Sequence, residues 1–275
     1  MGGPFGPRRS PMISADALQV VFNPGTPLEN HALRGLTLDI PEGQWLTVIG
    51  SNGAGKSTLL NALSGDIRLS AGRILIGSQD VTRWPTHQRS ALVARVFQDP
   101  LAGTCERLTI EENMALALRR GGVRGLRPAL GRHEREYLRE RLSRLGLGLE
   151  NRLKDRMGLL SGGQRQAVSL LMATLAPLRI LLLDEHTAAL DPRTADLILR
   201  LTQDLIRELN LTALMVTHSM KQALHFGDRT VMLHEGKVVL DLTGAERAGM
   251  TVEGLLAQFS HQRGEDLDDD ALLLG

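Results

Sequence analysis

Cysteine is nearly absent from this 275-residue chain, with Cys105 alone. A single thiol excludes an internal disulfide and suits a reducing compartment. Its neighbours lack the cationic character that activates a thiol, so it reads as passive. Aromatic residues are scarce at 3%, which leaves few rings for stacking on single-stranded nucleic acid. An excess of one charge is missing too. The formal net charge is +1, so no broad field favours nucleic acid as a partner. No apolar run reaches the roughly 20 residues that a membrane-crossing helix needs. The first residues, Met1 to Arg9, carry no apolar segment of the signal-peptide kind. Any link to a membrane is therefore expected to pass through a partner. What remains is an ordinary soluble balance, 42% hydrophobic and 23% charged. The length suits one large domain or two small ones with a sizeable core.

The most informative stretch runs from Gly50 to Thr58: Gly50, Ser51, Asn52, Gly53, Ala54, Gly55, Lys56, Ser57, Thr58. It fits G-x-x-x-x-G-K-[ST]. It follows a β-rich run at 45–49 and opens an apolar, helix-like run at 58–63, the context in which that pattern binds phosphate. The glycines let backbone amides approach phosphate oxygens. A helix starting near Ser57 adds its positive end. Lys56 is expected to reach the β- and γ-phosphates, and the Ser57 hydroxyl to ligate Mg²⁺.

Residues 1–12 are rich in Gly and Pro and read as a disordered extension. Short β runs follow at 18–22 and 36–40, with a turn at 41–43 before the phosphate-loop strand. Residues 73–76 and 93–97 read as further strands. Residues 110–176 are rich in Leu, Ala, Glu and Arg at helical spacing, with a Gly/Arg interruption at 121–125. They read as a helical subdomain, about 105–176, inserted in a β-containing core. A buried strand is expected at 179–184, an amphipathic helix at 194–209, and strands at 214–217 and 229–233. Strands alternating with helices predict a largely parallel α/β sheet. From 260 onward the chain is polar and acidic, and reads as a solvated tail.

The expected partner of a phosphate loop is a hydrophobic strand ending in an acid. Leu181-Leu-Leu-Asp184 supplies it. Asp184 is a candidate Mg²⁺ ligand, and Glu185 a candidate for polarising the attacking water. Capping or a surface turn is the alternative for this acid pair.

Between these two elements lies Leu160-Ser-Gly-Gly-Gln164, which resembles the signature motif of the ATP-binding cassette (ABC) family. Other family elements follow the family's order. Gln98, in Phe97-Gln-Asp-Pro100, resembles the Q-loop. Asp191, in Ala189-Leu-Asp191, resembles the D-loop. His218, in Val216-Thr-His-Ser219, resembles the switch histidine. The resemblance covers about 13–259. It implies an α/β, P-loop NTPase fold: an ABC-type nucleotide-binding domain with a β-rich N-terminal part and an inserted helical subdomain.

The resemblance also implies an ATPase that uses ATP and Mg²⁺. Ser161, Gly162, Gly163 and Gln164 would form a second anion cradle at a helix N-terminus, closing on the nucleotide of a second copy in a head-to-tail homodimer. Gln98 would touch Mg²⁺ or water, Asp191 would sit at the dimer seam, and His218 would hold the γ-phosphate and the water. Phe22 is the aromatic placed to stack on adenine; a strand-core Phe is its alternative. His186 departs from the family, which commonly has a small residue or Pro after the catalytic Glu. It is either a second proton-active group or a side chain packed under the following loop. Arginines 119, 120, 124, 127, 132, 135, 139, 141 and 144 form a basic belt. It either faces acidic lipid or an acidic loop of a membrane subunit, or is a solvated face with Arg/Glu pairs.

A single cassette without a coiled coil favours the transport branch of the family over members that act on ribosomes or DNA. The implied partners are permease subunits and an extracytoplasmic substrate-binding protein, at the cytoplasmic face of the membrane. Stretches 96–100, 108–113 and 184–192 resemble a subgroup of bacterial importer ATPases, some associated with tryptophan or tyrosine uptake.

Overall fold

The computed structural model describes residues 11–121 and 130–263. The chain divides into two compact units, Met1–Pro85 with Leu211–Gly275, and Thr86–Asn210. The first unit opens with β1 (Pro11–Phe22) and β2 (Asn30–Pro41), paired antiparallel. The first strand thus begins inside the stretch read as an extension; residues 1–10 lie outside the described residues. A turn closed by Gln44 N–H on the Pro41 carbonyl (3.2 Å) leads to β3 (Trp45–Ile49). All five residues of β3 are buried, as its apolar run requires of a strand covered on both faces. Then come α1 (Lys56–Ser64), β4 (Ala71–Ile76) and β5 (Gln79–Asp80). Strands β2-β1-β4-β5 make an antiparallel sheet.

The second unit holds α2 (Thr86–Arg89), β6 (Val93–Val96), α3 (Ile110–Leu118), α4 (Arg132–Ser143), α5 (Gly162–Leu175), β7 (Ile180–Asp184) and α6 (Pro192–Glu208). Thr109 and Glu112 form a reciprocal capping box at the start of α3, which satisfies amides that a helix start leaves open. Helix α4 is strongly charged, and only Leu138 and Leu142, one turn apart, are buried. They join Ile110, Met114, Met157 and Leu171 in a core that fastens the helical segments together. Beside it, β6 and β7 pair in parallel, Val93 opposite Ile180 and Val96 opposite Leu183. Most of the Gly/Arg interruption, with Arg124 and Arg127, lies outside the described residues.

The chain returns to the first unit with β8 (Thr212–Val216), α7 (Met220–His225), β9 (Arg229–His234), β10 (Lys237–Thr243), α8 (Gly244–Ala248) and α9 (Val252–Arg263). Both β8 and β9 run parallel to β3, and β10 is antiparallel to β9. Helix α9 passes through the 259/260 boundary expected for the acidic tail; the tail acids from Glu265 onward lie outside the described residues. Among the described residues, no helix is long and apolar enough to cross a membrane.

Candidate nucleotide site

The loop at 50–55 is set by close packing behind it. Gly50 has φ +149°, and a Cβ there would lie 2.2 Å from the Leu233 carbonyl oxygen of β9. Gly55 has φ +100°, and its Cβ would lie 2.6 Å from the Ala32 oxygen. These glycines are required as much by the neighbouring strands as by a ligand. The Ala54 carbonyl accepts from Gly236 N–H (3.0 Å), which ties the loop to the β9–β10 turn. The start of α1 has no side-chain cap, because Gly55 occupies the N-cap. A helix start capped in this way is the kind at which backbone amides bind an anion. The Lys56 ammonium is buried and donates to the carbonyls of Gly50 (2.7 Å) and Ser51 (3.1 Å), spanning the loop. Ser57, Asn52 and Gly53 are exposed.

His218 belongs to the same unit. Strand β8 lies beside β3 in parallel, Val48 opposite Val216. The phosphate loop and His218 thus leave the carboxyl ends of adjacent parallel strands, the edge at which α/β sheets bind ligands. His218 is exposed. The turn that carries it is braced: Thr217 Oγ1 donates to Gln222 Oε1 (2.9 Å) and accepts from Ser219 N–H (3.1 Å). Phe22 ends β1 opposite Asn30 and is 39% exposed, so the strand-core alternative does not hold for its ring.

In the second unit, Gln98 follows the carboxyl end of β6, Asp184 ends β7, and both line one open cavity of about 440 Å³. Their oxygen atoms suit a hard cation such as Mg²⁺, which takes few protein ligands and relies on phosphates and water for the rest. Among the described residues no cluster of three or more His, Cys, Asp or Glu could hold a metal ion by itself. Glu185 has φ +44°, a left-handed conformation that costs a non-glycine residue energy and clusters at functional sites. Ala188 N–H closes the turn on its carbonyl (2.9 Å).

Helix α5 starts at the signature motif. Ser161 Oγ accepts from Gln164 N–H, and Gln164 Oε1 accepts from Ser161 N–H, each at 3.2 Å. A Cβ on Gly163 would lie 2.2 Å from Thr194 Cγ2, so this glycine is where α5 and α6 approach closely. Asp191 caps α6, accepting from Thr194 N–H (3.1 Å), with Pro192 at the first helical position. The hydrogen bonds from Thr194 hold the Asp191 carboxyl below its ordinary range.

His186 is buried, and Thr202 Oγ1 lies 3.1 Å from its Nε2. The Thr202 hydroxyl donates to the Ile198 carbonyl (2.8 Å). The histidine is therefore the donor of the pair. Burial pushes its pKa down to about 4, so it is neutral at pH 7 and packs against α6 rather than serving as a proton-active group. The basic belt is largely engaged. Arg132 pairs with Glu136, Arg135 with Glu111 and Arg144 with Glu208, while Arg120 donates to the Ala173 carbonyl.

A family profile described as ABC transporter matches residues 33–188. The chain belongs to the ABC transporter family. It is an ATPase of that family, built on the ABC-type nucleotide-binding fold. It is 47% identical over 232 residues to a tyrosine transport ATP-binding protein of Clostridioides difficile, covering 84% of this chain and 92% of that protein. It is 34% identical over 211 residues to a thiamine import ATP-binding protein of Salmonella choleraesuis, covering 77% and 85%. Among solved structures, it resembles a dimeric ATP-binding cassette in a post-hydrolysis state bound to ADP and phosphate. The TM-score is 0.73 at 29% identity, covering 84% of this chain and 98% of that one.

The contacts of three side chains in this ABC ATPase escaped the sequence reading. Arg95 pairs with Asp184 at 2.5 Å. Gln166 on α5 donates to the Phe97 carbonyl (3.1 Å), joining the signature helix to the residue before Gln98. Arg165 donates to the carbonyls of Met157, Gly158 and Leu160, holding the turn that precedes Ser161. Gln166 and Arg165 lie next to a motif and could have been flagged by proximity. Arg95 likewise lies beside the 96–100 stretch, but nothing in the sequence pointed to its pairing with Asp184.

Proposed function

We propose that this chain is the ATP-hydrolysing subunit of a bacterial importer, in which two copies close on ATP and a permease reads the motion. The observation that carries the reading is the phosphate loop, with its uncapped helix start and a buried Lys56 held across it. Similarity to a tyrosine transport ATP-binding protein supports the transport branch, and similarity to a thiamine import ATP-binding protein the import direction. Lys56 and the amides of 50–58 bind the β- and γ-phosphates. Ser57, Gln98 and Asp184 would hold Mg²⁺. When bound, the metal neutralises phosphate charge in the transition state. Phe22 offers its exposed ring to adenine.

Hydrolysis is attack by water on the γ-phosphorus as the bond to the ADP oxygen breaks. Glu185 accepts the water's proton, and His218 donates a hydrogen bond to a γ-phosphate oxygen. The 161–164 segment of the second copy, with Asp191 nearby, completes each site, so ATP joins the homodimer. Loss of the γ-phosphate removes that joint and favours opening. The partners are permease subunits and an extracytoplasmic substrate-binding protein, and the chain works peripherally at the cytoplasmic face of the membrane. Cargo of the aromatic amino-acid class follows the 47% relative; other subunits select it.

Glu185→Gln is the test. With saturating ATP and Mg²⁺ the variant should accumulate as a dimer on size-exclusion chromatography, while hydrolysis falls at least a hundredfold. A variant that stays monomeric defeats the sandwich for the isolated subunit.

A further inference from the structure

Arg95 sits on β6 and reaches across to the end of β7, where its Nη2 meets Asp184 Oδ2 at 2.5 Å. Both side chains are nearly buried, 12% and 14% exposed. In that setting a charge–charge contact is strong, and removing one partner is costly. The guanidinium carbon also lies 4.8 Å from the centre of the Phe97 ring. The same arginine borders a second, larger cavity of about 730 Å³, lined also by Phe97, Asn113, Arg119 and Ser169. Arg95 therefore stands between the carboxylate assigned to the metal and an open space into which a flexible side chain can swing.

We propose that Arg95 is a positioning residue that holds Asp184 in the nucleotide-free chain and competes with Mg²⁺ for it. This inference rests on the reading of Asp184 as a metal ligand. The guanidinium cancels the negative charge that would otherwise attract a bare divalent cation. Asp184 would then accept a metal only together with the phosphates of a nucleotide, which would add the ligands and charge that a lone carboxylate lacks. Release of Arg95 alters its stacking on Phe97. The Phe97 carbonyl accepts from Gln166 of the signature helix, and Gln98 is the next residue along the chain. The arginine thereby links metal arrival to the segment that carries Gln98 and to α5.

The experiment is Mn²⁺ binding to the full chain saturated with ADP, read by electron paramagnetic resonance. Wild type, Arg95→Met and Arg95→Lys are compared, with thermal melts to confirm folding. Arg95→Met is expected to bind Mn²⁺ about tenfold more tightly, the effect of removing one adjacent positive charge. Arg95→Lys, which keeps the charge, should stay near wild type. A second readout uses only the wild-type fold: the ¹⁵N side-chain resonance of Arg95, identified by its loss in Arg95→Lys. It should move when Mg²⁺ is added to the ADP-bound chain and stay in place with ADP alone. Equal or weaker Mn²⁺ binding by Arg95→Met overturns the proposal, as does an Arg95 resonance indifferent to Mg²⁺. Failure of the wild-type chain to bind ADP at all overturns the functional reading and this inference with it.

Discussion

The helix starts at α1 and α5 are both glycine-rich, and the chain leaves one open and closes the other. At α1 the N-cap is Gly55, with no side chain to satisfy the first-turn amides and a buried lysine folded over the loop. At α5 the N-cap is Ser161, which forms a reciprocal box with Gln164. At the first start the N-cap contributes no side chain to the amides. At the second, an anion must share them with a serine already in place. The difference matches the roles proposed for the two starts: one to bind nucleotide by itself, the other to join a nucleotide already held. The glycines differ in the same sense. A Cβ at Gly50 would meet the Leu233 backbone, whereas one at Gly163 would meet the Thr194 side chain. Backbone cannot yield; a side chain can.

The sharpest break in this comparison is Lys56→Ala. Removing the ammonium should abolish ATP hydrolysis and weaken nucleotide binding at least a hundredfold by fluorescence titration. Normal turnover would mean the open helix start is not the phosphate site. Next is Gly50→Ala, expected to destabilise the chain by about 3 kcal/mol in urea denaturation. A loss near zero would show that the loop can move off β9.

Acid sharpens the contrast between the units through His186. Its folded pKa is about 4 against an ordinary 6.5. The unfolded chain therefore takes up the proton first. Stability is full above pH 6.5 and falls as pH drops toward 4, by about 3 kcal/mol from this residue. His186→Leu should flatten that slope, and an unchanged urea midpoint profile would contradict the buried neutral imidazole. The smallest effect is Ser161→Ala. Loss of the cap should cost about 1 kcal/mol and leave ATP binding intact. A marked loss of binding would erase the distinction between the two helix starts.

The candidate site residues were nameable from the sequence because their signals are local. A glycine spacing, a lysine after it and an acid at the end of an apolar strand each lie within a few residues. The strand at 45–49 and the α/β pattern followed from periodicity and turn residues. Boundaries were looser: β1 reaches back to Pro11 and α9 on to Arg263. The antiparallel pairing of β1 with β4 joins segments about 60 residues apart and left no local trace.

By itself the sequence determined the identity of the phosphate loop, the order of the family elements and the α/β class, because these depend on short-range spacing and on backbone freedom that glycine alone has. Only the tertiary structure decided what surrounds those elements. It buried His186 against α6 and thereby keeps that imidazole neutral at pH 7. It brought Arg95 to Asp184 across 89 positions and put Leu233 behind Gly50. Burial and pairing of this kind arise when distant segments pack, and each sets a charge, a pKa or a clearance that no neighbour in the chain reveals.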